Sequence, residues 1–206
     1  MGRVDRIDRI TERKSGSWGT SSQHVLALVA KLFRFSEQDA SSALDRNTSR
    51  YVYAGIPLLL AAAYSFVIEY EGILNVGSMP ANLSTGEPLV KILEGYGAAS
   101  ELLTELQDLV EVRNEIIHPV PLPAGTPDNW PDYLRRIKQK GLLSTTGDPA
   151  ADYILMSQIA SHRLFKWAVD VTKSVYSVIV YSNPQKTSMF LPILDYNFET
   201  LFGDRR

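Results

Sequence analysis

Residues Val112 to Pro119 read V-R-N-E-I-I-H-P and set Arg113, Asn114 and His118 close together in the chain. A histidine accepts and releases protons near neutral pH, and a guanidinium keeps its positive charge at every working pH. Side by side, these groups supply what phosphodiester cleavage needs. One moves protons, and the other stabilises charge on a phosphorane-like transition state. Asn114 can orient either group by hydrogen bonding. Asn114 and His118 are four residues apart and share a helix face, whereas Arg113 lies about 140° around an ideal helix from His118. Pro119 disfavours helical geometry at His118, which releases the imidazole from that ideal and leaves Arg113 able to reach a common cleft. The same residues would also arise as a solvated helix end closed by a His-Pro pair.

The elements that must position these residues read as helices. Gln23 to Phe35 carries Val25, Leu28, Val29, Leu32 and Phe33 at helical spacing. Ser36, with Asp39 three residues on, predicts the capped start of a further short helix. A long helix is expected from about Asn47 to Asn75, kinked or started by Pro57. Within it, Tyr51 to Ile68 holds eighteen residues without a charge. A membrane span needs about 20 predominantly apolar residues, and Gly55 and Pro57 interrupt this one, so it reads as a buried helix. Pro88 to Glu94 predicts a brief helix ended by Gly95 and Gly97, and Ser100 an N-cap for the helix that ends near Ile117. Asp132 to Lys140 is a short helical patch within a Pro- and Gly-rich stretch, and Asp148-Pro149 signals a last long helix from about Ala150 to Tyr181. The segment from Asn183 is non-periodic yet rich in apolar residues, among them Phe190, Phe198 and Phe202, which predicts packing on the domain itself or on a second copy. The expected fold is all-α, with residues 1–22 as a flexible N-terminus, a helical domain over 23–182 containing an insertion at 119–148, and an apolar C-terminal tail at 183–206.

Composition narrows the chemistry. The 206 residues contain no cysteine, which excludes disulfides, iron–sulfur clusters, thiolate zinc sites and a cysteine nucleophile. The three histidines, His24, His118 and His162, lack the spacing of a metal site, so no metal and no cofactor is expected. The turn Gly95-Tyr96-Gly97-Ala98-Ala99-Ser100 precedes a helix but lacks the third glycine and the strand of a dinucleotide loop, and reads as the end of one helix and the start of another. The N-terminal stretch MGRVDRIDRITERK has no apolar core of a secretory leader, so the cytoplasm is the expected compartment. With 21 basic and 23 acidic residues the net charge is −2, so contact with nucleic acid would need a local basic patch.

The segment from Arg113 to His118, an arginine directly followed by a polar residue and separated by four residues from a histidine, resembles the signature of the HEPN superfamily (higher eukaryotes and prokaryotes nucleotide-binding domain). The surroundings are similar too: an apolar, Ala-rich earlier helix ending near Glu69 to Asn75, and a long final helix containing Lys166, Trp167 and Ala168. The resemblance covers residues 45 to 182 and implies a four-helix bundle that dimerises, with the motif helices of both copies lining one cleft. It implies a metal-independent endoribonuclease in which Arg113 and His118 are catalytic and Asn114 assists. The two His118 side chains would then act as general base for the 2′-hydroxyl and general acid for the leaving 5′-oxygen. The insertion after His118 and the apolar tail lie outside a minimal bundle; they would cover the cleft or recruit a partner.

On the substrate side, DYLRRIKQK places Arg135, Arg136, Lys138 and Lys140 within six positions, beside Trp130 and Tyr133. Folded over a cleft, those cations could track an RNA backbone and the aromatic rings could stack bases. A solvated helix face anchored by its aromatic residues gives the same pattern. Glu69 and Glu71 read as surface groups or as partners for Arg113, and His162 and His24 as solvated or interface histidines. Two functions follow: a homodimeric toxin or defence ribonuclease under a cognate antitoxin or regulatory protein, and a HEPN-like module that binds nucleotide, RNA or protein without cleaving.

Overall fold

The computed structural model describes residues 21–42, 49–74, 86–119, 130–144, 158–182 and 198–203, with side chains omitted for 21, 68–74 and 86–88. These residues are almost all helical, and none lies in an extended sheet. The helices are α1 (Ser21–Ser42), α2 (Tyr51–Leu74), α3 (Gly86–Gly95), α4 (Ser100–Ile117), α5 (Asp132–Gln139) and α6 (His162–Ser182). The all-α expectation holds.

The central helix is α2, which packs against α1, α4 and α6. Val52, Ile56, Leu59, Ala62 and Val67 are all buried, which explains the long uncharged stretch: this helix meets protein on most sides. No described helix is long and apolar enough to cross a membrane. Gly55 lets α6 come close, because a Cβ there would overlap the ring of the fully buried Phe165.

Cross-helix pairs fix the directions. Ser22, at the start of α1, hydrogen-bonds the Tyr176 hydroxyl late in α6, and Ser36 meets His162 at the start of α6, so these two helices run antiparallel. Gly55 faces Phe165, while Ala62 and Phe66 meet Tyr176, whose ring stacks on Phe66 at 3.9 Å; α2 and α6 therefore run in the same sense. The core is built mostly from apolar side chains of α1, α2, α4 and α6, joined by Leu89 and Leu93 of α3 and Leu134 and Ile137 of α5, each large one contributing about 2 kcal/mol by leaving water.

Several boundaries differ from the sequence expectation. α1 does not stop at Ser36, whose buried hydroxyl is used across the core by His162 instead of capping a new helix. α2 begins at Tyr51 with Pro57 in its second turn. Ser100 is the first helical residue rather than the cap: Ala99 is extended (φ −62°, ψ 146°) and no side chain caps the end. The last helix starts at His162, because the chain turns at Ala160 and Ser161 accepts the N–H groups of Leu164 (hydroxyl, 3.5 Å) and Phe165 (carbonyl, 3.1 Å). The Asp148-Pro149 signal and most of 183–197 lie outside the described residues. The part of the tail that is described, 198–202, is helical and packs on its own domain, with Phe198 buried against Tyr176 and Phe202 against Phe33.

The glycine stop expected after α3 is present, and α5 has a further one beyond that expectation. α3 ends with Gly97 at φ 75°, its N–H on Glu94 O and the Ala98 N–H on Leu93 O. α5 ends the same way at Gly141, φ 67°, with Gly141 N–H on Lys138 O and Leu142 N–H on Ile137 O.

Candidate functional site

α4 is seated by Leu106, Leu109, Val110 and Val112, all buried. Beyond Val112 it rises out of the protein: Arg113, Asn114, Glu115 and Ile116 are half-buried, and Ile117, His118 and Pro119 are exposed. Ile117 is 41% exposed, unusual for an isoleucine, and stands directly before the histidine.

Arg113 and Asn114 meet. The guanidinium Nη1 donates to Asn114 Oδ1 at 3.0 Å. Consecutive helical side chains leave the axis about 100° apart, so this bond folds the arginine back toward the face that Asn114 shares with His118. His118 is the C-cap, with φ −129° and ψ 65°, and its N–H donates to Asn114 O at 2.7 Å. Its backbone has left the helix, the departure that Pro119 enforces. Among the described residues no hydrogen bond holds the imidazole. Asn114 therefore touches both of its neighbours, Arg113 through its side chain and His118 through its carbonyl.

Behind Arg113 stands Tyr64 of α2, half-buried. Burial pushes its hydroxyl up to about 12, and the charge of Arg113 pulls the other way. Nothing in the local sequence singles out Tyr64, because its relation to α4 exists only once α2 and α4 pack. The side chains of Glu69 and Glu71 lie outside the described residues.

The basic segment does not float over this end. α5 packs along α4, and Leu134 and Ile137 are fully buried beneath it. Each of its four cations has an intramolecular partner. Arg136 grips Asp108 of α4 with Nε at 3.2 and 3.0 Å from the two carboxylate oxygens and Nη2 at 2.5 Å from Oδ1. Lys140 reaches Glu105, whose Oε1 also accepts from the Trp167 indole at 3.4 Å. Lys138 lies over the Trp130 ring at 4.9 Å, and Arg135 pairs with Asp132. Tyr133 is half-buried and donates to Glu115 Oε2 at 3.3 Å, beside the arginine–asparagine pair. In the sequence Asp108 is one of several acids along α4, with Thr104, Glu105 and Glu111 at helical spacing, so nothing local signals its burial or its ion pair.

His162 is held between helices, with Nδ1 3.0 Å from Ser36 Oγ and its ring 4.9 Å from that of Phe33. Burial lowers its pKa, with Glu37 opposing and Lys166 assisting. It is a core-edge histidine, far from His118 in the fold: it opens α6 whereas Tyr64, beside Arg113, lies at the level of Tyr176. Among the described residues no group of three or more His, Asp or Glu side chains is placed to hold a metal ion.

No family model matches the chain, and neither a curated protein nor a solved structure matches it.

Proposed function

We propose that the chain is a HEPN-type endoribonuclease that works without a metal ion, built as a four-helix bundle of α1, α2, α4 and α6 and completed by a second copy of itself. The observation that carries this reading is the Arg113 guanidinium bonded to Asn114 Oδ1 on the last turn of α4, one turn before an exposed His118. In the reaction, His118 takes the 2′-hydroxyl proton as the 2′-oxygen attacks phosphorus. His118 of the partner subunit gives a proton to the departing 5′-oxygen, leaving a cyclic phosphate and a 5′-hydroxyl. Arg113 neutralises charge on the phosphoryl oxygens as it builds. The exposed Ile117 beside the site supports burial against a partner copy. Of the α5 cations, Arg135 and Lys138 suit an RNA backbone best, since both are exposed, whereas Arg136 and Lys140 are committed to α4. A toxin or defence role under a cognate inhibitor fits such an activity.

A module that binds RNA or protein without cutting is the second reading, favoured by the absence of a described partner to orient the His118 ring. Incubation of a mixed-sequence RNA with purified protein in EDTA separates the two. Cutting is expected for the wild type, with a loss of at least about a hundredfold in His118→Ala and Arg113→Ala, the scale of general acid–base and charge-stabilising groups. Light scattering is expected to give twice the chain mass. No cutting, or cutting undiminished by His118→Ala, overturns the nuclease, and a clean monomer at micromolar concentration overturns the composite site.

A further inference from the structure

We infer that Tyr133, in the insertion, is a positioning residue that fixes the catalytic end of α4 through Glu115; the catalytic part of this statement rests on the ribonuclease reading above. Three contacts set α5 against α4: Lys140 on Glu105, Arg136 on Asp108 and Tyr133 on Glu115. The order along one helix reverses along the other, so the two run antiparallel and the start of α5 lies beside the last turn of α4. The middle of α5 is packed down, since Leu134 and Ile137 are fully buried and Arg136 is tied to Asp108, a residue only 1% exposed. Tyr133 is therefore a hydroxyl on a fixed mount.

The end it touches has little of its own to hold it. Residues 117–119 are exposed, no basic side chain follows Arg113 in α4, and His118 has left helical geometry. The last carbonyls of a helix have no partner within it, and helix ends fray. Glu115 is the residue after Asn114, between Arg113 and His118 in the chain. A bond from Tyr133 to its carboxylate pins that end from the side opposite α2. The Tyr133 hydroxyl stays a donor, because burial and then the nearby Glu115 and Glu111 carboxylates push its pKa up. The insertion thus acts on the site by bracing the helix that carries it, without touching RNA through this residue.

Tyr133→Phe in the full chain removes one oxygen and keeps the ring. Amide exchange at His118, whose N–H bonds Asn114 O, is expected to quicken about fivefold, as for loss of one hydrogen bond. In the RNA assay kcat is expected to fall by about the same factor while KM moves less than about twofold, the pattern of a misplaced catalytic group rather than of lost binding. Glu115→Gln, which keeps an acceptor for the hydroxyl, is expected to retain most of both properties; Glu115→Ala is expected to match Tyr133→Phe, and the double variant to be no worse than either. Unchanged exchange at His118 in Tyr133→Phe overturns the positioning role. So does a change in KM alone. If the wild type does not cut RNA, the ribonuclease reading fails by itself, and the exchange measurement still decides whether Tyr133 pins the end of α4.

Discussion

Arg136→Ala tests whether α5 is part of the structural core or an appendage. The Asp108 side chain is 2% exposed and accepts three contacts from the Arg136 guanidinium, whose side chain is 42% exposed. Removing one partner of a fully buried ion pair costs about 3–5 kcal/mol, because a charge stays behind in a poor solvent. Water reaches this pair from the arginine side, which lowers the expected cost to about 2 kcal/mol. In urea, with a slope of about 2 kcal/mol/M, that is a drop in midpoint of about 1 M; in a melt it is about 4–8 °C for a chain of this size. Lys140→Ala is the internal comparison. Its pair with Glu105 has both side chains more than a third exposed, and it should cost less than about 0.5 kcal/mol. Replacing both members of the buried pair, Asp108→Leu with Arg136→Met, should recover most of the loss, since well-packed apolar residues substitute for a buried pair at little cost. Urea titrations followed by tryptophan fluorescence and circular dichroism measure all four chains. An Arg136→Ala protein within about 0.5 kcal/mol of the wild type would refute the reasoning, because Asp108 would then have to be solvated or repartnered without cost.

Two further outcomes follow from the core. Burial holds the folded pKa of His162 below the ordinary 6.5, so the unfolded chain takes up this proton first as pH falls. The stabilisation is present above pH 6.5 and is lost as pH drops through and below it; His162→Gln should flatten stability between pH 7.5 and 5.5 in urea titrations, and an unchanged slope would contradict the assignment. Gly55→Ala places a methyl group on the Phe165 ring and should cost about 2 kcal/mol by overpacking, with Phe165→Leu restoring part of it in the double variant; a thermal melt equal to the wild type's would show that α2 and α6 can separate freely.

The parts of this fold that the sequence reveals are those written in local chemistry. α4 ends where Pro119 requires, α3 and α5 end on glycines at positive φ, and the Asp132–Gln139 helix shows in its short periodic run. Features that depend on distant partners are hidden. Ser36 carries a capping signature, yet its hydroxyl serves His162 on another helix. The apolar rhythm passes from Ile159 to Phe165 without a gap, because both are buried on either side of the Ser161 turn, so periodicity alone reads through it. At the candidate site, the Arg113–Asn114–His118 spacing is visible, and so is the capacity of Asn114 to hydrogen-bond a neighbour, which the structure shows directed at Arg113. The involvement of Tyr64 and of the Tyr133–Glu115 bond is not, since both arise from packing. Which cations of α5 are committed to α4 is hidden because a sequence shows charges without their partners; Asp108 and Glu105 lie about thirty residues earlier in the chain.

The docking of residues 198–203 on α1 has a consequence for how the protein is made. Phe33 contacts Phe202, and Arg34 reaches the carbonyl of Gly203, so one side of α1 is completed by residues translated long after it. A ribosome adding about 5–20 residues per second leaves that apolar side of α1 open for roughly ten seconds or more after the helix emerges. Until then the nascent chain carries a sticky, half-finished surface, and chaperones that hold exposed aromatic side chains have their best opportunity there. A pause or truncation before residue 198 would leave a chain with α1 to α6 made and Phe33, though seated on Phe165 and His162, without its Phe202 cover.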